Sequence, residues 1–162
     1  MAPLKIDGVQ YKSAEHYFQA QKFKYAGADK HTQQYFNLIC EADCPQKAKD
    51  MGNLLPNYKG CFWLLNNEKP KLGYMNDIII KYEKLAKKNP EWDGIYINVM
   101  RKGLLVKFSS DYWLKRLLLD TREMTIYLES SYDAFWEGGK NESNKLAALL
   151  MEIRNELKSN AK

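Results

Sequence analysis

Residues 13–23, SAEHYFQAQKF, form the stretch around which the rest of the chain is organised. Ser13 is a good N-cap, and the helix after it places Glu15, Phe18 and Lys22 at positions i, i+3 and i+7. An ordinary amphipathic helix separates its apolar and polar faces, whereas here an acid, an aromatic ring and a cation share one face. This face has two interpretations: it lines a ligand site, or it belongs to a surface helix whose charges are solvated.

The whole chain of 162 residues is long enough to bury a core, and the spacing of its apolar residues is mostly helical. Residues 4–11 alternate around the turn pair Asp7-Gly8, which predicts a short β-hairpin. Ser109 or Ser110 is expected to cap the helix that runs to about residue 120, and residues 124–129 after it are a further strand candidate. The predicted helices run over residues 13–26, 30–41, 45–52, 73–88, 91–108, 110–120 and 144–157.

These patterns predict a mainly α fold. We expect one compact orthogonal helical domain with about six or seven helices, a short β-hairpin near the N-terminus and one or two further minor strands. Two irregular stretches, residues 53–72 and 130–143, contain clustered aromatic side chains. We expect the first to be a loop pinned by these rings, a candidate lid, and the second to pack over another part of the protein.

Charge and cysteine usage restrict the class of protein. The formal charge of +5 suggests an anionic partner, a phosphate or a nucleic acid, although no Lys/Arg block is long enough to indicate DNA binding. Three cysteines, without a signal peptide ahead of them, indicate reduced thiols in a cytoplasmic protein. Cys40 and Cys44 would need two further ligands to bind zinc, so we expect no metal site. No apolar run approaches the roughly 20 residues of a membrane span.

Several segments, taken in order, resemble the NADAR (YbiA-like) family. No single segment would suffice, but the ordered set covers most of the chain. The resemblance implies one domain over residues 1–162, with a family-atypical insertion at about 53–88. The matching segments are IDGVQYKSAEHYFQAQKF at 6–23, AKDMG at 48–52, Trp92 followed by VMRKGLLVKF at 99–108, LLLDT at 117–121, LESSYDAFW at 128–136 and NKLAALLMEIRNEL at 144–157.

Members of that family are N-glycosidases, so the resemblance implies a hydrolase that cuts the bond between ribose C1 and a base nitrogen. The implied substrates are phosphorylated small molecules: a riboflavin-pathway ribosylpyrimidine phosphate, or an ADP-ribosyl adduct such as ADP-ribosylated guanine, free or within nucleic acid. The resemblance implies no cofactor, no metal and no membrane partner. It leaves the oligomeric state open.

The resemblance also implies which residues act. Carried over position by position, two catalytic carboxylates fall on Glu15 and Asp133, and two stacking rings fall on Trp92 and Trp136, with Asn144 matching the Asn that opens the last helix. N-glycoside cleavage builds positive charge on the sugar, and a carboxylate beside C1 stabilises that charge or activates water. The second acid would then assist the leaving base.

Three further side chains complete the predicted substrate-binding set. Lys22 is the expected phosphate contact, Arg101 is a second one, and Phe18 shares the helix face of Glu15. Structural interpretations exist beside the functional ones: Asp133 as a turn residue, Trp92 as core, and Asn144 as a helix cap.

Departures from the family pattern keep a second function open. An F-S-N-F-like segment is expected before the hairpin and is not seen ahead of it, and Asn53 stands where an arginine is expected. Ser143 and Ala147 occupy positions where glycine is usual, and a Cβ there would narrow a pocket. The alternative is therefore a non-catalytic module that binds ADP-ribose or a related nucleotide. A structural or protein-interaction domain is the third interpretation.

Overall fold

The predicted β-hairpin opens the described part of the chain. In the computed structural model, which describes residues 3–53, 72–128, 136 and 144–160, β1 (Leu4–Ile6) pairs antiparallel with β2 (Val9–Tyr11). Asp7 and Gly8 have φ values of 51° and 78°, the positive pair that a tight hairpin turn requires. The turn pair in the sequence therefore identified the hairpin correctly.

Seven helices follow within the described residues, so the mainly α fold is confirmed. They are α1 (Ala14–Gln21), α2 (Lys30–Glu41), α3 (Pro45–Gly52), α4 (Leu72–Glu83), α5 (Trp92–Ser110), α6 (Tyr112–Asp120) and α7 (Lys145–Ser159). The chain divides into two compact units, Met1–Gly103 and Leu104–Lys162, and the boundary falls within α5. The single domain over 1–162 stays a prediction.

In the first unit, α1 packs against α2, α3 and β2. Its core is aromatic: Tyr35 is fully buried, stacks on Tyr82 at a centroid distance of 5.0 Å, and meets Phe23 edge-on at 4.9 Å. The Tyr35 hydroxyl donates to the Met51 carbonyl at 2.9 Å, so the buried polar atom of the ring is satisfied. Contacts with these three elements therefore fix the position of α1 in the first unit.

In the second unit, α6 packs against α7. Arg154 on α7 is only 4% exposed, and its guanidinium donates to Thr121 Oγ1 at 2.9 Å and to the Met124 carbonyl at 2.7 Å. These bonds attach the segment after α6 to α7, and they satisfy part of the hydrogen-bonding capacity of the buried guanidinium.

Five local expectations were wrong. Helix α1 ends at Gln21 rather than at residue 26, because the Lys22 and Phe23 N–H groups bond three residues back, to the Gln19 and Ala20 carbonyls, and so tighten and close the last turn. Helix α4 ends at Glu83 rather than at residue 88, because the segment after it turns away to bond with Thr32 on α2 and with Lys22, the residue directly after α1. Asp111, not a serine, caps α6 and accepts from the Leu114 N–H at 3.0 Å. Residues 124–128 form no strand, and the carbonyls of Met124 and Leu128 accept instead from the side chains of Arg154 and Asn144. Cys44 is disulfide-bonded, while Cys40 is a free thiol.

Several predicted features lie outside the described residues. They are the aromatic loop and most of the proposed insertion, residues 54–71, and the second aromatic loop apart from Trp136, which includes Asp133.

Candidate active site

The first turn of α1 places Glu15 at the N-terminus of a helix. Ser13 Oγ accepts the His16 backbone N–H, so Ser13 is the N-cap that the sequence predicted. Glu15 is the acidic residue of this turn and is half-buried. The partial positive charge at a helix N-terminus favours a carboxylate, so its ionised form is stabilised there.

His16 fastens the same turn to the end of α2. Its Nε2 lies 3.0 Å from the Ala42 carbonyl oxygen, which can only accept, so Nε2 carries the proton. Nδ1 then accepts from the Ser13 hydroxyl at 2.8 Å. Burial lowers the pKa of His16, and the ring is therefore neutral at pH 7. We assign His16 a structural role.

Gln19 orients the Glu15 carboxylate and was missed by the sequence reasoning. Its Nε2 donates to Glu15 Oε1 at 2.7 Å, while its own Oε1 has no hydrogen-bond partner among the described residues. Gly52 on α3 lies directly against it, because a Cβ at that glycine would come within 2.7 Å of the Gln19 Cβ. The i, i+4 spacing of Glu15 and Gln19 was the available signal.

Lys22 is a buried cation beside this carboxylate. Only 7% of the residue is exposed, and Nζ donates to Asn53 Oδ1 at 2.6 Å. Burial, together with the nearby ammonium groups of Lys88 and Lys49, lowers the pKa of Lys22 to about 8, while the Glu15 carboxylate opposes the shift. A lysine in this setting is charged at pH 7 but holds its proton weakly.

Two aromatic rings form the apolar side of the cluster. Phe18 and Trp92 meet at a centroid distance of 5.2 Å with their planes 62° apart. The Lys22 ammonium lies 5.7 Å from the Phe18 ring centroid and 5.9 Å from that of Trp92, within the range of cation–π attraction. Trp92 is 5% exposed, so much of its ring is packed within the protein. The structure thus brings together Glu15, Phe18, Lys22 and Trp92 of the predicted set.

Lys88 joins the cluster from the segment after α4, residues 84–91. The Lys87 N–H donates to Thr32 Oγ1 at 3.0 Å, and the Asn89 N–H donates to the Lys22 carbonyl at 2.7 Å. Lys88 lies between these two anchors, and its Nζ is 5.9 Å from the Trp92 ring centroid. The sequence reasoning had placed this lysine at a helix C-terminus, so it missed Lys88; no local signal marks it.

The other predicted site residues are placed as follows. Arg101 is half-buried on α5. Trp136 is half-buried and belongs to the second unit. Asn144 caps α7: its Oδ1 accepts the Ala147 N–H at 3.2 Å, and its Nδ2 donates to the Leu128 carbonyl. Asp133 lies outside the described residues.

Within the described part of the chain, no group of three or more His, Cys, Asp or Glu side chains is placed to hold a metal ion. No helix in that same part is long and apolar enough to cross a membrane.

Comparison with known proteins identifies the family. A family model described as the NADAR domain matches residues 1–158. The chain belongs to the NADAR family. Among its NADAR-like relatives, the N-glycosidase YbiA of Shigella boydii is 32% identical over 157 residues, which are 96% of this chain and 76% of that protein. The Escherichia coli K12 N-glycosidase YbiA is 31% identical with the same coverage.

Two further similarities extend the assignment. The NMR structure of E. coli YbiA superposes with a TM-score of 0.69 at 27% identity, covering 99% of this chain and 75% of that one. A chloroplastic riboflavin biosynthesis protein, PYRR of Arabidopsis thaliana, is 40% identical over 68 residues, or 41% of this chain and 11% of that protein. The relatives named N-glycosidases are hydrolases of N-glycosyl bonds, the enzyme class that the resemblance implied.

Proposed function

We propose that this NADAR protein is an N-glycosidase that hydrolyses the ribose–base bond of a phosphorylated riboside. One observation carries the proposal: a half-buried carboxylate, Glu15, lies on the same helix face as a buried ammonium, Lys22, beside the Phe18–Trp92 pair. The reaction needs negative charge near ribose C1, and a phosphorylated substrate needs a cation near its phosphate. The carboxylate lies on α1, and the ammonium belongs to Lys22, the C-cap residue directly after it.

Glu15 is the proposed group at the reacting carbon. As the bond to the base breaks, the ribose gains oxocarbenium character, and a carboxylate beside it stabilises that charge or takes a proton from the attacking water. The hydrogen bond from Gln19 and the partial positive charge at the N-terminus of α1 both favour the ionised carboxylate, as this role requires. Gln19 also restricts its rotation, so the reacting oxygen is pre-oriented.

The remaining roles are proposed from the family resemblance. Asp133 would protonate the leaving base, and Trp136 would stack on it. Asn144 would act through the start of α7, which it caps. Trp92 is largely buried, so we propose that it acts on the ligand mainly by holding the two ammonium groups beside its ring.

The proposed substrate class is a ribosylpyrimidine phosphate of the riboflavin pathway or an ADP-ribosylated base such as guanine. The name of the PYRR relative supports the first, and the net charge of +5 suits either. The cations around Trp92 suit any ligand with a phosphate on its ribose.

Glu15→Gln is the decisive variant for this proposal. Glutamine keeps the size of the side chain and an oxygen that can still accept from Gln19, but it removes the negative charge. We expect base release from the preferred substrate to fall at least about 100-fold, because charge stabilisation at the reacting carbon is lost. Chromatography of the released base, from both substrate classes, measures it.

Glu83→Gln is the matched control, since Glu83 is exposed on α4 and its loss changes the net charge equally. Full activity of Glu15→Gln would refute the assignment of Glu15. If neither substrate class releases base while ADP-ribose still binds, the enzyme proposal fails and the nucleotide-binding module is the better description.

A further inference from the structure

We propose that the groove between β2 and α2 binds an extended acidic peptide of a partner protein, which pairs with β2 as an added strand. The groove has a volume of about 380 Å³. It is lined on one side by residues 9–12 and on the other by side chains of α2, among them Phe36 and Cys40. None of its lining residues belongs to the candidate active site, so this binding does not depend on the proposed function.

The register of the hairpin leaves the outer edge of β2 open. Ile6 and Val9 pair directly across the two-residue turn, where the paired residues exchange both backbone hydrogen bonds. Bonded and non-bonded pairs alternate in an antiparallel ladder, so Gln10 and Lys5 form a non-bonded pair. The Gln10 N–H and C=O therefore point away from β1, and no other strand pairs with β2 in the described part of the chain. An open edge of this kind can pair with another extended chain.

The groove runs along this open edge. Strand side chains alternate between two faces, and on β2 Tyr11 is buried whereas Gln10 is exposed on the opposite face. Both residues line the groove, which therefore lies beside the strand rather than over one of its faces. No residue of β1 lines it, so the groove follows the edge that β1 leaves unpaired. A peptide suits this position, because its backbone amides can bond to the Gln10 N–H and C=O.

Helix α2 gives the groove an apolar wall. Phe36 and Cys40 are half-buried and lie one helical turn apart, and Phe36 meets the Tyr11 ring edge-on at a centroid distance of 6.4 Å. Burial raises the pKa of the Cys40 thiol to about 11, so the thiol is uncharged at pH 7. Every second side chain of an added strand would turn toward this wall, and we expect those side chains to be apolar.

The charges beside the groove favour acidic side chains at the other peptide positions. Lys12 Nζ donates to the Glu41 and Ala42 carbonyls at 2.7 Å and 3.0 Å, which leaves one of its three N–H donors for a ligand. Lys24 adds a second ammonium, 5.8 Å from the Phe36 ring centroid. One exposed carboxylate, that of Glu41, also borders the groove, so positive charge is in excess. Peptide carboxylates would be attracted to both ammonium groups.

A designed pentapeptide, acetyl-EVTVE-amide, is the probe for this site. Its two valines match the alternation that the apolar wall requires, and its glutamates match the two ammonium groups. It is titrated at pH 7 and low ionic strength into the full, isotope-labelled chain, and the backbone amide shifts report both the position of binding and the Kd. The reverse-charge peptide acetyl-KVTVK-amide is the control for charge.

Gln10→Pro is the test variant, because proline removes an N–H that points into the groove and leaves the pairing with β1 intact. Lys5→Pro is the matched control, since the Lys5 N–H lies on the opposite edge of the same hairpin, and the charge it loses can only narrow the difference. A second pair tests charge alone: Lys24→Gln beside Phe36, and Lys30→Gln, an exposed lysine of α2 that does not line the groove.

We expect the Kd of the acidic peptide to rise at least about fivefold in Gln10→Pro and about two- to threefold in Lys24→Gln, with both control variants nearly unchanged. The reverse-charge peptide should bind at least about fivefold more weakly. Absence of shifts at residues 9–12, or equal Kd values for Gln10→Pro and Lys5→Pro, would overturn the proposal. If Gln10→Pro loses the amide shifts of the folded hairpin, equal affinities for the two peptides, or for the two glutamine variants, would overturn it instead.

Discussion

At the scale of single residues, Lys22 is a charged side chain in a buried position. Its charge is unfavourable in the folded protein, which is why its pKa falls from 10.5 to about 8. That difference corresponds to about 3 kcal/mol against the charged form below pH 8. As pH rises from 8 to 10.5, the unfolded chain keeps this proton while the folded protein releases it, so the penalty disappears.

Lys22→Met should therefore stabilise the unliganded protein at pH 7, by about 1–3 kcal/mol, after allowance for the lost bond to Asn53. The advantage of the variant should shrink steadily between pH 8 and pH 10. Urea unfolding of both proteins at several pH values measures it. A difference that does not depend on pH would show that Lys22 carries no such penalty.

Much of this residue-scale arrangement could be predicted from the sequence. Glu15, Phe18 and Lys22 follow one another at helical spacing, and their shared face needs only α1 to exist. Gln19 could have been recognised from the same spacing. Lys88 could not, because its place beside Trp92 depends on bonds to Thr32 and Lys22, which lie more than 50 residues earlier in the chain.

At the scale of elements, α5 carries two glycines in different surroundings. A Cβ at Gly103 would lie 2.8 Å from Tyr17 Cδ1, whereas nothing lies within 4 Å of one at Gly94. Gly103→Ala should destabilise the protein by about 1–3 kcal/mol through overpacking against a buried ring. Gly94→Ala should stabilise it by up to about 1 kcal/mol, because alanine favours a helix over glycine.

Thermal or urea unfolding of the two variants gives the comparison directly. Since both variants make the same chemical change in the same helix, the opposite signs isolate the contact with Tyr17. Stabilisation by both substitutions would mean that α5 does not approach α1 as closely as described.

The elements also show where sequence reasoning is reliable. Neighbouring residues decided the hairpin at Asp7-Gly8 and the cap at Ser13, and both were predicted correctly. The end of α4 was not, because bonds from the following segment to Thr32 and Lys22 outweigh the helical pattern that continues to Lys88.

At the scale of the whole molecule, the second unit offers its own test of the proposed function. Trp136 is half-buried, while Trp113 in the same unit is 77% exposed. If Trp136 stacks on the base, Trp136→Ala should raise the Kd of a base-bearing phosphorylated riboside about 10- to 100-fold. Trp113→Ala should leave that Kd within twofold. Calorimetric titration measures both.

Circular dichroism provides the accompanying check on folding. Normal helix content with unchanged affinity in Trp136→Ala would contradict the stacking role. A loss of the folded signal would instead identify Trp136 as part of the core, and Trp136→Phe, which keeps an aromatic ring, would then replace it as the test of stacking.

The contact between Gly52 and Gln19 has a consequence for how this protein can evolve. A side chain at position 52 would push against Gln19, and Gln19 holds the Glu15 carboxylate. Any mutation there would alter helix packing and the geometry of the acid together. On the proposed role of Glu15, selection on folding and selection on chemistry therefore act on the same codon, and neither property changes at this position without the other.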